Sequence, residues 1–410
     1  RDLKAAGMTA VMLTCKHHDG FALWPSAQST HTVAASPWRD GAGDLVREVA
    51  EACQAEGLAF GVYLSPWDRT EGSYGTGTAY DDFFVAQLAE LLTGYGPVFA
   101  VWLDGANGEG AGGRRQYYDW DRYYEVIRRL QPGAVISVCG PDVRWCGNEA
   151  GHTRAEEWSV VPASLREAEL TASRSQQVDD GQFSRIVRSD DDDLGGREVL
   201  LASDEPVVWY PAEVNTSTRP GWFHHAAEDA AVRSAGELFE IYRRSVGGNA
   251  TFLLNVPPAA NGRIAEPDRA VLAELGTLIR SLDESDVAPT ATAAYSSSPL
   301  PAAPGVGGVW RAGADDAAPT LRLRFDTDVE LAGVGLREDI AEGQRIDGFV
   351  VRFRDADGAL LAEHGGASVG AQRILDAAVD GVREVEVEIT GRRGPVAVSQ
   401  VRVFARTGTW

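Results

Sequence analysis

The sequence predicts a parallel α/β fold, a (β/α)8-like TIM barrel, followed by a small antiparallel β-sandwich. Three observations carry this. Strand and helix patterns alternate over the first 280 or so of the 410 residues. Polar and aromatic side chains crowd the C-terminal ends of those strands, where barrels display their chemistry. Past residue 308 the hydrophobic period changes from helical to two. The expected division is a barrel over 1–284, a linker over 285–308 rich in Ala, Pro, Ser and Gly, and a sandwich over 309–410.

Thr9–Thr14 is a short apolar run that breaks into His17, His18 and Asp19. Asp44 is placed to cap a helix whose stripe is Leu45, Val46, Val49, Ala52 and Cys53, with Gly57 where a left-handed C-terminal glycine belongs. Leu58–Leu64, Val98–Leu103 and Ala134–Cys139 are the next strands, separated by helices over Phe83–Leu92 and Asp119–Leu130. Trp158–Val161, Pro206–Tyr210 and Thr251–Val256 read as further strands of the same sheet, with helices at Ala235–Ser245 and Pro267–Leu282. Seven strands also suit a doubly wound sheet; the decorated strand ends favour the barrel. A barrel needs eight, and a chain opening on Arg1 inside a helix end is expected to lack its first strand. In the C-terminal part Leu321, Leu323 and Phe325, then Val350 and Phe353, then Val385, Val387 and Ile389, then Val401 and Val403 define alternating strands.

Composition narrows the function. There are 38 basic and 60 acidic residues, a formal charge of −22, so the surface repels nucleic acid and anionic lipid. No apolar run reaches the roughly 20 residues of a membrane helix. A neutral small substrate is easier to accept. Cys15, Cys53, Cys139 and Cys146 match no zinc or CxxC spacing, and burial as small hydrophobes suits at least the first three. No signal-peptide pattern is present, and the compartment is not readable.

Three clusters could carry chemistry. In Lys16-His17-His18-Asp19-Gly20-Phe21, neutral imidazoles suit sugar hydroxyls; a shared metal is awkward for adjacent histidines on extended chain, though a metal-dependent hydrolase using His17, His18 and Asp19 is a competing reading. Trp102-Leu103-Asp104-Gly105 ends a strand, and alternation sends Trp102 and Asp104 to one side, an apolar platform beside a carboxylate. Asp142 to Glu149 lies in the loop after Cys139, and Glu149 beside Trp145 is a candidate acid. Glu156, Glu157 and Glu213 compete with it. A retaining glycosidase needs one carboxylate as nucleophile and one as acid/base. Eleven tryptophans, among them Trp24, Trp67, Trp102, Trp145, Trp209 and Trp222, fit stacking on sugar faces, although core packing accounts for some. Asp190–Asp193 reads as a solvated acidic loop.

The segments KHHDGF, VWLDGA, GPDVRWCGNEAG, WYPAEVNTSTRPGWF and GGNATFLLNVPP, in this order, together resemble the α-L-fucosidases of glycoside hydrolase family 29. The resemblance implies a catalytic (β/α)8-like barrel with a C-terminal β-sandwich and a retaining double displacement without metal or organic cofactor. It implies Asp104 as nucleophile and Glu149, in its GNE segment, as acid/base of the subfamily cleaving α-1,3- and α-1,4-linked fucose, with Glu213 in reserve. It implies His17, His18, Tyr63, Trp102 and Trp222 as sugar-binding residues, and a fucosylated oligosaccharide as substrate. Family members carry a strand and a histidine upstream of KHHDGF, which are expected to be missing here. The alternative of another class is a carbohydrate-binding protein or truncated pseudoenzyme without catalysis.

Overall fold

A computed structural model describes residues 1–174, 182, 184–186, 197–297 and 308–406. The acidic run Asp190–Asp193 lies outside them. The chain forms two compact units, one built on Arg1–Gly147 with a stretch beginning at Ser164, the other on Asn148–Ala163 and the remainder.

The first unit holds a parallel sheet of four strands in sequential order: β1 (Ala10–Lys16), β2 (Ala59–Leu64), β3 (Ala100–Leu103) and β4 (Val135–Val138). Crossover helices α1 (Leu45–Glu56), α2 (Thr78–Gly94) and α3 (Trp120–Leu130) join them. Such crossovers are what parallel neighbours require. The caps at Asp44 and Gly57 form as the sequence indicates, and Asp119 adds one to α3. Asp44 accepts from the Arg47 N–H at 2.9 Å, Asp119 accepts from the Arg122 N–H at 3.2 Å, and Gly57 closes α1 at φ 68°. The buried stripe of α1 is Val46, Ala50 and Cys53; Ala52 points to solvent, one position off the predicted stripe. All four cysteines are buried free thiols.

The second unit corrects three expectations. The runs around Val160 and Val207 are not members of a parallel sheet. Instead β5 (Val160–Pro162) and β6 (Val207–Trp209) pair antiparallel with each other. The parallel partner of β8 (Ala250–Asn255) is β7 (Ala212–Ser217), a strand the sequence hid because its residues include Glu213, Asn215, Thr216 and Ser217. All six of its residues are buried, so the hydrophobic period was erased by polar side chains that face inward. Finally, part of the expected linker is a strand: β9 (Thr292–Tyr295) pairs antiparallel with residues 321–324.

Helices α4 (Ala235–Ser245) and α5 (Glu266–Glu284) pack Leu238, Phe239, Leu275 and Leu282 into one cluster with Ile374 and Phe404. Beyond them runs an antiparallel sheet made of β9, β10 (Trp310–Arg311), β11 (Thr320–Glu338), β12 (Ile346–Arg354), β13 (Leu360–Gly366), β14 (Arg373–Arg392) and β15 (Ala397–Ala405). β11 and β14 are 19 and 20 residues long and slip register at bulges between Arg324 and Gly333. Bulges bend strands, so one half of β11 pairs with β9 and the other with β15, and the sheet folds over a single core. That core takes Phe349, Val351 and Phe353 from β12; Val350 takes the outward phase, against the expectation.

Candidate active site

The ends of β1, β2 and β3 bring five of the seven sequence-predicted residues together in the first unit. The register Tyr63↔Trp102 sets these two rings side by side, 5.2 Å apart and 29° from coplanar. One residue beyond β3, Asp104 turns its carboxylate back to the same place. Its Oδ2 accepts from the Tyr63 hydroxyl at 2.6 Å and its Oδ1 from the Ala106 N–H at 2.8 Å. A charge-assisted bond of this length, backed by a turn, fixes the carboxylate's direction. His18 Nε2 stands 3.9 Å from Asp104 Oδ2, and both side chains keep a minor exposure, 16% and 19%.

The two histidines follow a register slip between Thr14 and Lys16. Such a slip re-aims side chains. Their rings lie 3.9 Å apart; His17 stacks on Tyr63 at 5.9 Å and 10°, and His18 on Trp67 at 4.7 Å. Burial, with the neighbouring His18 adding to it, pushes the His17 pKa down to about 4, while Asp104 and Asp19 oppose the shift. At neutral pH His17 is therefore uncharged, able both to donate and to accept.

The loop bearing the histidines is clamped from β2. Lys16 is fully buried and pairs with Asp68 at 2.9 Å. Burial lowers the Lys16 pKa against the pull of Asp68, while the Asp68 carboxyl is held below its usual range by Lys16 and by N–H donors despite its own burial. The Arg69 N–H bonds the His18 carbonyl at 2.9 Å, and Thr70 Oγ1 donates to the Asp19 carbonyl at 3.2 Å. Gly20 passes beneath at φ 75°, where a Cβ would fall 2.2 Å from Thr70 Oγ1. Lys16, Trp67 and Asp68 are thus supporting residues. Of these the sequence pointed to Trp67, through its place among the strand-end tryptophans, and to Lys16 only as the first residue of its cluster. A lysine continuing an apolar strand was the available signal for Lys16.

Glu149 and Trp222 belong to the second unit. Glu149 is half-buried in a loop folded around Asn148, whose Oδ1 accepts from the Ala150 and His152 N–H groups at 3.0 and 3.1 Å. Trp222 is half-buried, and its carbonyl accepts from Asn255 at the end of β8 at 3.1 Å. The preceding Arg219 is buried against Asp268 at 2.6 Å, which anchors the turn into the Trp222 segment. Asp142, in the same loop, is bound by Arg128 at 2.5 and 2.6 Å; among the competing acids, Glu157 is fully buried with Arg154 at 3.1 Å, and Glu156 accepts from the Ala367 N–H at 2.7 Å. Glu213 is buried on β7. Trp24 is a core residue whose indole donates to Glu90 at 2.8 Å. Asp19 Oδ1 accepts from the Phe21 N–H at 3.2 Å, and among the described residues no three His, Cys, Asp or Glu side chains gather as a metal site.

A carboxylate held in place among aromatic rings and imidazoles at parallel strand ends suits a carbohydrate-processing hydrolase. Comparison with known proteins agrees. The alpha-L-fucosidase family matches residues 2–284. Alpha-L-fucosidase 1 of Arabidopsis thaliana is 38% identical over 384 residues, 91% of this chain and 71% of that protein. A solved structure from Bacteroides ovatus ATCC 8483 is 38% identical with a TM-score of 0.80, over 99% of this chain and 65% of that one. A Ruminococcus gnavus GH29 fucosidase solved with fucose is 25% identical with a TM-score of 0.82, over 100% of this chain and 84% of its own. The chain belongs to the alpha-L-fucosidase family, and its enzyme class is that of the glycoside hydrolases.

Proposed function

We propose that the protein is a retaining exo-α-L-fucosidase that removes terminal α-1,3- or α-1,4-linked L-fucose from oligosaccharides or glycoconjugates. Asp104 attacks the anomeric carbon and the glycosidic C–O bond breaks, while Glu149 gives its proton to the leaving oxygen. Glu149 then takes a proton from water, whose oxygen attacks the same carbon and releases Asp104 and fucose. His17, His18 and Tyr63 bind hydroxyls, Trp102 offers a face to the sugar ring, and Trp222 is a further sugar contact. The scheme uses no metal or organic cofactor. The parallel strands are read as part of a (β/α)8-like barrel, supported by the sequential order of β1 to β4 and the parallel β7–β8 pair.

The observation that carries this reading is the fixed carboxylate of Asp104, bonded by Tyr63 and flanked by the Trp102 ring and the histidines. Glu149 is taken as acid/base from its place in the Gly147–Glu149 segment, with Glu213 in reserve. The linkage preference rests on the Gly147–Glu149 segment alone. The test is fucose release by the purified chain from a branched Lewis-type trisaccharide beside linear 2′-fucosylated lactose. Release from the branched sugar only is expected. Release from neither, with fucose still bound in calorimetry, would replace the enzyme by a carbohydrate-binding protein.

A further inference from the structure

We propose that Ser65 is a positioning residue that dictates which ring nitrogen of His18 carries hydrogen, and so makes His18 Nε2 a hydrogen-bond acceptor at the sugar site. The inference deepens the reading of this site as a fucosidase centre and rests on it for its kinetic part only.

Ser65 follows β2 directly and is fully buried. Its Oγ lies 2.7 Å from the Trp67 carbonyl oxygen. A carbonyl cannot donate, so the single hydroxyl hydrogen of Ser65 belongs to that bond. The same Oγ lies 2.7 Å from His18 Nδ1. With its hydrogen committed, Ser65 can only accept there, and Nδ1 must carry the hydrogen. Whenever the ring is neutral, that is its one N–H, and Nε2 then holds a lone pair.

This choice matters because of where Nε2 stands. It faces Asp104 Oδ2 at 3.9 Å, so an imidazole acceptor and a carboxylate acceptor share one small space. Two such groups suit a ligand that brings hydrogen: a sugar hydroxyl beside the reacting carbon. The opposite tautomer would aim an N–H at the carboxylate, competing with both the hydroxyl and the anomeric carbon for Asp104. Trp67 packs on the ring at 4.7 Å and the Ser65 bond holds Nδ1, which restrain it from turning.

The measurement is two-bond hydrogen–nitrogen correlation on the full chain labelled with ¹⁵N-histidine, above neutral pH, with His18 identified by the peaks that vanish in His18→Gln. The expected spectrum shows His18 with a pyrrole-like Nδ1 and a pyridine-like Nε2. In Ser65→Ala the two forms mix and kcat/KM for fucose release falls roughly tenfold, the scale of one lost buried hydrogen bond. Ser65→Thr, which keeps the hydroxyl, retains the spectrum and most of the rate. A pyridine-like Nδ1 in the parent chain overturns the proposal, even where Ser65→Ala fails to fold. An unchanged His18 spectrum in a folded Ser65→Ala overturns it too. A parent chain with the expected spectrum but no fucose release would instead count against the fucosidase reading.

Discussion

The strand ends of the first unit and the antiparallel sheet of the C-terminal region handle polar groups in opposite ways. In the sheet, most charges line the polar face and oppose one another across strands, although Glu338 is buried and accepts from the Arg345 and Ile346 N–H groups. Arg322 faces Glu386 at 2.6 Å, and Arg352 reaches Glu363, Glu386 and Glu388 at 2.7, 3.0 and 2.5 Å. Behind them the core is aliphatic and aromatic. At the ends of β1, β2 and β3 the charges turn inward: Lys16 and Asp68 are sequestered, and Asp104, His17 and His18 crowd one another with little exposure. Such an inward arrangement costs stability, because desolvated charges and imidazoles must be paired. The difference teaches that the sheet is built to be stable and the strand ends to hold a carboxylate in a chosen direction.

The sharpest way to break the comparison is to cut into the sheet's core. Phe353 is fully buried in that cluster, and Phe353→Ala should cost ~3–5 kcal/mol of stability. Denaturant unfolding measures it, and kcat assayed well below the transition should stay near the parent value. A large kcat loss without unfolding would show that the two regions are not separable in this way.

Acid probes the strand ends. The His17 pKa is lowered in the fold to about 4 from 6.5, so between these values the unfolded chain binds the extra proton. Stability is therefore full above about pH 6.5 and declines as pH falls toward 4, by at most ~3 kcal/mol. His17→Gln should flatten that part of the pH–stability curve. An equally steep curve in the variant would remove His17 as its source.

Tyr63→Phe deletes one oxygen and leaves the ring stack. Losing a hydrogen bond to a charged group predicts ~10- to 100-fold lower kcat/KM, with the unfolding midpoint nearly unchanged. At the small end is Arg324, whose side chain is 70% exposed although it pairs with Glu384. Arg324→Gln should change neither the melting temperature nor the rate by a measurable amount. A clear drop in either would show that the outward charges do more than keep the sheet soluble.

Much of this was legible in the sequence, and what was hidden has physical causes. Strands such as Leu58–Leu64 and caps such as Asp44 and Gly57 are written locally, in hydrophobic runs and short-range chemistry. The direction of pairing at Val160 and Val207 is not, because a β-rich apolar run does not name its partner. β7 escaped because its buried polar side chains find partners only in three dimensions, Ser217 in Asn255 and Thr216 in the Ser184 carbonyl. At the site, Asp104, His17, His18, Tyr63 and Trp102 stood out by residue type at strand ends. Ser65 did not: a serine after a strand carries no signal until its two neighbours, Trp67 and His18, are known.

The proposed mechanism stands or falls on Asp104 as its nucleophile. The most direct test is Asp104→Ala assayed on an activated aryl fucoside with and without azide. Without azide the rate should fall roughly 10⁴-fold or more. Added azide should restore turnover and yield the β-fucosyl azide, since it enters from the face that Asp104 vacates. Near-parental hydrolysis in the variant, or an α-configured azide product, would contradict it, the latter because a second group would then be forming the covalent intermediate.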